Sequence, residues 1–128
     1  MSKQKKILVV DDDKHILSFL ELLLSRNGYE VETAKDGSLA LERVILDRPD
    51  LVVLDIDMPE IDGLEVLKRI KDNPATKSIP VIMLTAHSDS HTFERAVDYS
   101  ADRYIAKPFN SSFLLEKVSQ VLEEYSNQ

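Results

Sequence analysis

The sequence predicts an α/β domain in which a parallel five-stranded sheet is doubly wound, with helices on both faces. Three observations predict it. Short, continuous runs of aliphatic residues alternate with segments of helical periodicity, the connections between them are a few residues long, and 128 residues suit one compact core.

The elements follow in chain order. Ile7-Leu8-Val9-Val10, Leu51-Val52-Val53-Leu54 and Val81-Ile82-Met83-Leu84 are apolar without alternation, which suits strands buried on both faces. Tyr104-Ile105-Ala106 is a weaker run of the same kind. Tyr29 to Ala34 alternates instead, which suits an edge strand. The first helix places Ile16, Leu20, Leu23 and Leu24 on one face, and Asn27-Gly28 stops it. Residues 38–47 and 64–71 form the next two helices, the latter opened by Asp62 and Glu65 in a capping-box pattern. Residues 89–99 form a helix of weaker amphipathicity. The last helix repeats the apolar stripe at Leu114, Val118, Val121, Leu122 and Tyr125, with Asn110 as its cap. One domain fills residues 1–128, with no repeat, linker or output domain expected.

Composition narrows the function classes. Acidic residues number 23 against 16 basic, a net charge of -7 that disfavours direct binding to nucleic acid or an anionic membrane. The absence of cysteine excludes disulfides, thiolate catalysis and cysteine-based zinc sites, and suits a cytoplasmic location. The apolar run after Lys5-Lys6 is too short for a signal sequence or a membrane span. His15, His87 and His91 lack metal-ligand spacing and are expected in surface or loop positions.

In a doubly wound sheet, ligands bind beyond the carboxyl ends of the strands, so the residues there carry the chemistry. Strand one ends in Asp11-Asp12-Asp13, strand three in Asp55, strand four in Thr85 and strand five in Lys107-Pro108. In the flavodoxin-like order 2-1-3-4-5, strands one and three are neighbours about 4.8 Å apart, and their carboxylates converge. Such a cluster calls for a cation, and the hard oxygen donors suit Mg2+, which can keep waters and accept a phosphoryl oxygen. Lys107 supplies positive charge and Thr85 a hydroxyl donor where charge develops during transfer, and a carboxylate can act as nucleophile by forming an acyl phosphate.

Asp11-Asp12, Leu54-Asp55-Ile56-Asp57-Met58-Pro59, Asp62-Gly63, Leu84-Thr85-Ala86 and Tyr104-Ile105-Ala106-Lys107-Pro108-Phe109, taken in this order, resemble the signature of the receiver domain of bacterial two-component response regulators. The resemblance covers the whole chain. It implies a signalling switch, not an enzyme with external turnover, that accepts a phosphoryl group on Asp55 from a histidine kinase or histidine phosphotransfer protein and later loses it by self-catalysis. It further implies that Asp12 and Asp55 hold Mg2+, that Asp11 acts largely through water, and that the Asp57 backbone carbonyl completes the metal site. Thr85 and Tyr104 fall on the family's switch pair, and the surface formed by the fourth helix, fifth strand and fifth helix would change to meet a downstream protein target. The Lys107-Pro108 bond is cis in the family.

Asp57 and His87 occupy positions at which the family tunes dephosphorylation, and Ser100 stands where members often carry glycine. Phe19 and Leu22 widen the apolar stripe of the first helix, either through deeper packing or as a docking face for a kinase or phosphotransfer helix. The cognate kinase, the downstream target and phosphorylation-dependent dimerisation stay open. Two alternatives compete. Asp55-Ile56-Asp57 also reads as the nucleophile motif of a haloacid-dehalogenase-type phosphohydrolase, but there the acidic metal motif follows the nucleophile, whereas Asp11-Asp12 precede it. A receiver-like module that binds partners without phosphorylation has no need of the full acid, threonine and lysine set.

Overall fold

The computed structural model describes residues 4–86 and 89–126. Ten elements alternate along it: β1 (Lys6–Val10), α1 (Lys14–Arg26), β2 (Glu30–Ala34), α2 (Gly37–Asp47), β3 (Leu51–Asp55), α3 (Gly63–Asp72), β4 (Val81–Thr85), α4 (Ser90–Asp98), β5 (Arg103–Ala106) and α5 (Ser111–Ser126). All strand pairs are parallel and the order is β2-β1-β3-β4-β5, the flavodoxin-like order expected.

The continuous apolar runs are explained by burial on two sides. Successive side chains of a strand point to opposite faces, so Leu8, Val10, Val52, Leu54, Val81 and Met83 pack against α2 and α3 through Val44, Val66, Leu67 and Ile70. Ile7, Val9, Leu51, Val53, Ile82 and Leu84 pack against α1 and α5 through Leu20, Leu24, Leu114, Val118 and Val121. Full burial of one such side chain contributes about 1.5–3 kcal/mol. The alternating segment is indeed an edge strand, β2, and β5 forms the opposite edge. No described helix is long and apolar enough to cross a membrane.

Four helices start on an aspartate. Asp13, Asp36, Asp62 and Asp89 accept hydrogen bonds from the backbone N–H of His15, Leu39, Glu65 and Thr92, each such cap being worth about 1 kcal/mol. The box at α3 is only half closed, because the Glu65 carboxylate accepts from Arg69 at 2.8 Å. Asn110 caps α5 through the N–H groups of Ser112 and Phe113. Helix α4 is more clearly amphipathic than its sequence suggests, yet Ala96 alone among its residues is fully buried, while Phe93 and Val97 are exposed. His87 lies outside the described residues, and His15 and His91 are exposed.

Candidate functional site

Strand register builds the site. Val10 pairs with Leu54, so Asp11 follows β1 beside the Asp55 that ends β3. Thr85 pairs with Ala106, which brings Lys107 in from β5. The Lys107 backbone N–H donates to the Thr85 carbonyl at 2.7 Å, and the Lys107–Pro108 bond is cis.

The Lys107 Nζ donates to Asp55 Oδ1 at 3.0 Å and to Asp11 Oδ2 at 3.1 Å. Asp11 Oδ1 accepts from the Asp13 N–H at 2.9 Å, so this acidic turn serves the first helix and the site at once. Asp11, Asp55 and Thr85 are buried, whereas Asp12 and Asp57 are exposed. Carboxylate oxygens of Asp11, Asp12 and Asp55 all lie within 4.8 Å of one another.

This arrangement is electrostatically incomplete. Burial pushes the Asp55 carboxyl up to about 6; the hydrogen bond and charge of Lys107 pull it down, while the charges of Asp11 and Asp57 push it further up. Burial works against the Lys107 ammonium as well, but the hydrogen bonds and charges of Asp55 and Asp11 outweigh it and leave that group above its usual range. Three carboxylates face one ammonium, and the two uncompensated charges match a divalent cation. Clustered hard oxygens fit Mg2+ as the ion.

The position of α3 depends on a glycine. A Cβ at Gly63 would stand 2.1 Å from the Asp55 carbonyl oxygen and 2.7 Å from the Ile56 Cα, so no other residue lets the helix start pass beneath the strand end. The Gly63 N–H also donates to the Ile56 carbonyl at 2.9 Å. The motif Asp62-Gly63 is visible in the sequence, but its contact with the backbone of Asp55 is not.

Tyr104 is half-buried with its ring edge-on to Phe93, centroids 5.2 Å apart and planes at 89°. Burial raises its phenol, a side-chain hydrogen bond with Thr85 lowers it, and the charges of Asp89 and Asp57 raise it again, with a net upward shift. The two residues of the expected switch pair therefore touch. Phe93 and Val97 on α4 and Phe113 on α5 are 47%, 55% and 46% exposed, apolar side chains carried by the helices before and after β5. On α1, Phe19 is 47% and Leu22 53% exposed, which rules out deeper packing as the reason for the widened stripe. Ser100 adopts φ 68°, the left-handed conformation that glycine favours, so the turn before β5 keeps the shape expected of a glycine.

Comparison with known proteins agrees with this geometry. The family model of the response regulator receiver domain matches residues 7–119. Among curated proteins, the response regulator ArlR of Staphylococcus saprophyticus is 38% identical over 117 residues, 91% of this chain and 52% of that one. The alkaline phosphatase synthesis transcriptional regulatory protein PhoP of Bacillus subtilis is 39% identical over 118 residues, 92% of this chain and 48% of its own. The chain thus spans about half the length of these relatives. Among solved structures, a CheY-like receiver domain protein of Methanospirillum hungatei superposes with a TM-score of 0.93 at 32% identity over 98% of both chains. The chemotaxis protein CheY4 of Vibrio cholerae gives 0.88 at 33% identity, over 93% of this chain and 99% of that one. With its strand order, its carboxylate-lysine cluster and these relatives in agreement, the chain belongs to the receiver-domain family of two-component response regulators.

Proposed function

We propose that the domain is a phosphorylation-dependent switch in which Asp55 is the phosphoacceptor. The observation that carries this reading is the convergence of Asp55, Asp11 and Lys107 at one strand end, with the negative charge left in excess. Asp11, Asp12, Asp55 and the Asp57 backbone carbonyl would hold Mg2+, which when bound neutralises phosphoryl oxygens.

The chain's own residues do the rest. Lys107 fixes Asp55 Oδ1, and Asp55 Oδ2 is the oxygen that would attack phosphorus. As the Oδ–P bond forms, the P–N bond of a phosphohistidine donor breaks and the leaving imidazole takes up a proton. The Lys107 ammonium stays close enough to pair with the new phosphoryl oxygens, and the Thr85 hydroxyl stands at the neighbouring strand end as a further donor. Drawing Thr85 toward the phosphoryl group disturbs its bond with Tyr104, and Tyr104 shares its contact with Phe93 on α4. That chain of contacts leads from Asp55 to the exposed Phe93 on α4, where a downstream protein would read the state. The exposed Phe19 and Leu22 on α1 supply a face for the donor, a histidine kinase or histidine phosphotransfer protein. Asp57, beside the site, would tune the lifetime of the phosphoryl group.

Incubation with acetyl phosphate and Mg2+ followed by mass spectrometry tests the central claim. One added phosphoryl mass is expected on the wild type and none on Asp55→Asn. Labelling that persists in that variant sinks the assignment, and steady release of phosphate from phosphate esters would favour a phosphohydrolase.

A further inference from the structure

Two adjoining cavities lie at the opposite end of the sheet from Asp55. Here the strands begin, and a space of about 320 Å³ opens among Lys5, Arg48, Ser78, Ile79, Leu122 and Tyr125. A second, of about 470 Å³, adjoins it through Ser78 and Tyr125 and is bordered by Lys77, Ser100 and Asp102. Phosphoryl transfer at Asp55 uses none of these residues.

The two acids that line these cavities, Asp50 and Asp102, are already committed. Asp50 accepts from the Lys6 N–H at 2.8 Å. Asp102 accepts from the Val81 N–H at 2.8 Å, from Lys71 Nζ at 3.2 Å and from the Tyr125 hydroxyl at 2.5 Å. Of the four cations that line the two cavities, Lys71 is paired with Asp102 and the other three are not committed. Lys5, Arg48 and Lys77 are exposed, and none makes an ion pair among the described residues, although acidic residues outnumber basic ones by 23 to 16. A cation at a helix C-terminus is favourable by itself, so the charge of Arg48 alone proves nothing. Lys5 and Lys77, however, lie outside the helices.

Backbone strain adds a second, independent sign. Arg48 holds φ 44° and ψ 65° at the end of α2, where glycine is the favoured residue. Left-handed non-glycine residues concentrate at binding sites, and Ser100 on the rim of the second cavity is another. Leu122 and Ile79 give the first cavity an apolar floor. The apolar floor beside the cations suits a ligand that carries an aliphatic side chain as well as negative charge, and inorganic phosphate has none. An acidic protein segment fits better than a phosphate ligand.

We propose that the end of the domain formed by Lys5, Arg48, Lys77 and the Leu122–Ile79 floor docks an acidic segment of a partner protein, whose carboxylates meet the three cations while an aliphatic side chain enters the cavity. This site is separate from Asp55 and stands whether or not Asp55 is phosphorylated.

The probe is a short fluorescein-labelled peptide alternating glutamate with leucine, followed by anisotropy and by amide NMR shifts of the whole chain. Shifts are expected at Arg48, Ser78, Ser100 and Leu122, with affinity falling as salt rises. Lys5→Glu and Lys77→Glu should each weaken binding roughly tenfold. Arg48→Gly separates structure from function: folding stability should hold or rise while binding weakens by a similar factor. The proposal is overturned by equal affinity in all three variants, by a lysine-leucine peptide binding as well, or by shifts confined to the Asp55 end. Displacement of the peptide by inorganic triphosphate at equal concentration would overturn it too, as would unchanged spectra at millimolar peptide.

Discussion

Two aspartate-lysine pairs stand at opposite ends of the same sheet, and they are built differently. At one end Asp55 shares Lys107 with Asp11 and has Asp12 and Asp57 close by. At the other, Asp102 has Lys71 to itself, together with the Val81 N–H and the Tyr125 hydroxyl. Lys71 in turn donates to the Ile79 carbonyl at 2.9 Å, so both partners are satisfied. The difference separates a reactive carboxylate from a structural one. A closed network stabilises by leaving no polar group unpaired, whereas an open one keeps charge in reserve for a cation and a phosphoryl group.

Removing each aspartate should therefore change stability in opposite directions. Asp102→Ala leaves Lys71, only 10% exposed, without its counter-ion, and unties the last turn of α5 from the start of β4. A loss of about 3 kcal/mol is expected in urea unfolding. Tyr125→Phe should lose less, because Lys71 and the Val81 N–H still satisfy Asp102. A loss below the error of the measurement for Asp102→Ala would show that this network is decorative and would remove the contrast.

The two ends were not equally legible. The strand cores were, because residues buried on both faces must be apolar at every position, and a carboxylate at the end of such a run, as at Asp55, is conspicuous. The Asp102 network was not. Its members are 21, 23 and 31 residues from Asp102 in the chain, and each has an ordinary local reading. Asp102 passes for a turn residue, Lys71 for a helix surface residue and Tyr125 for one more member of an apolar stripe. Tyr125 does pack in the core, but burial and its bond to Asp102 together push its phenol well above the usual range. Likewise Asp62-Gly63 can be seen as a motif, yet the reason for the glycine is a contact with the Asp55 backbone that only the folded chain supplies. Asp13, part of one acidic run, divides from its neighbours only through cap geometry.

At the reactive end the sign reverses. Without Mg2+, Asp55 is pushed up to about 6 against an ordinary 3.8, so the folded state binds its proton more tightly than the unfolded chain does. From this group, stability is greatest below about pH 4 and is lost as pH rises through about 6. Asp55→Asn should remove that loss and stabilise the metal-free protein at pH 7 by roughly 2 kcal/mol, with no gain near pH 4. Added Mg2+ should stabilise the wild type by mass action and narrow the gap. Parallel urea curves at the two pH values check this, and a destabilised Asp55→Asn at pH 7 would mean that Lys107 already balances the site.

The smallest expected effect tests whether the turn leading into β5 is strained. Ser100 sits between α4 and Asp102, with φ 68° where a side chain is disfavoured. Its N–H donates to the Val97 carbonyl at 2.9 Å, so the left-handed turn is held by the backbone and would be kept by glycine. Ser100→Gly relieves the steric cost but raises the entropy of the unfolded chain, two effects of similar size and opposite sign. In left-handed positions the steric cost, about 1–2 kcal/mol, exceeds the entropic one, and a net gain of about 0.5 kcal/mol is expected. Because the substitution touches neither carboxylate network, its effect should add to that of Asp102→Ala if the turn and the network are independent. Non-additivity beyond about 0.5 kcal/mol would show that the turn holds Asp102 in place, making the strain at Ser100 part of the structural end of the molecule.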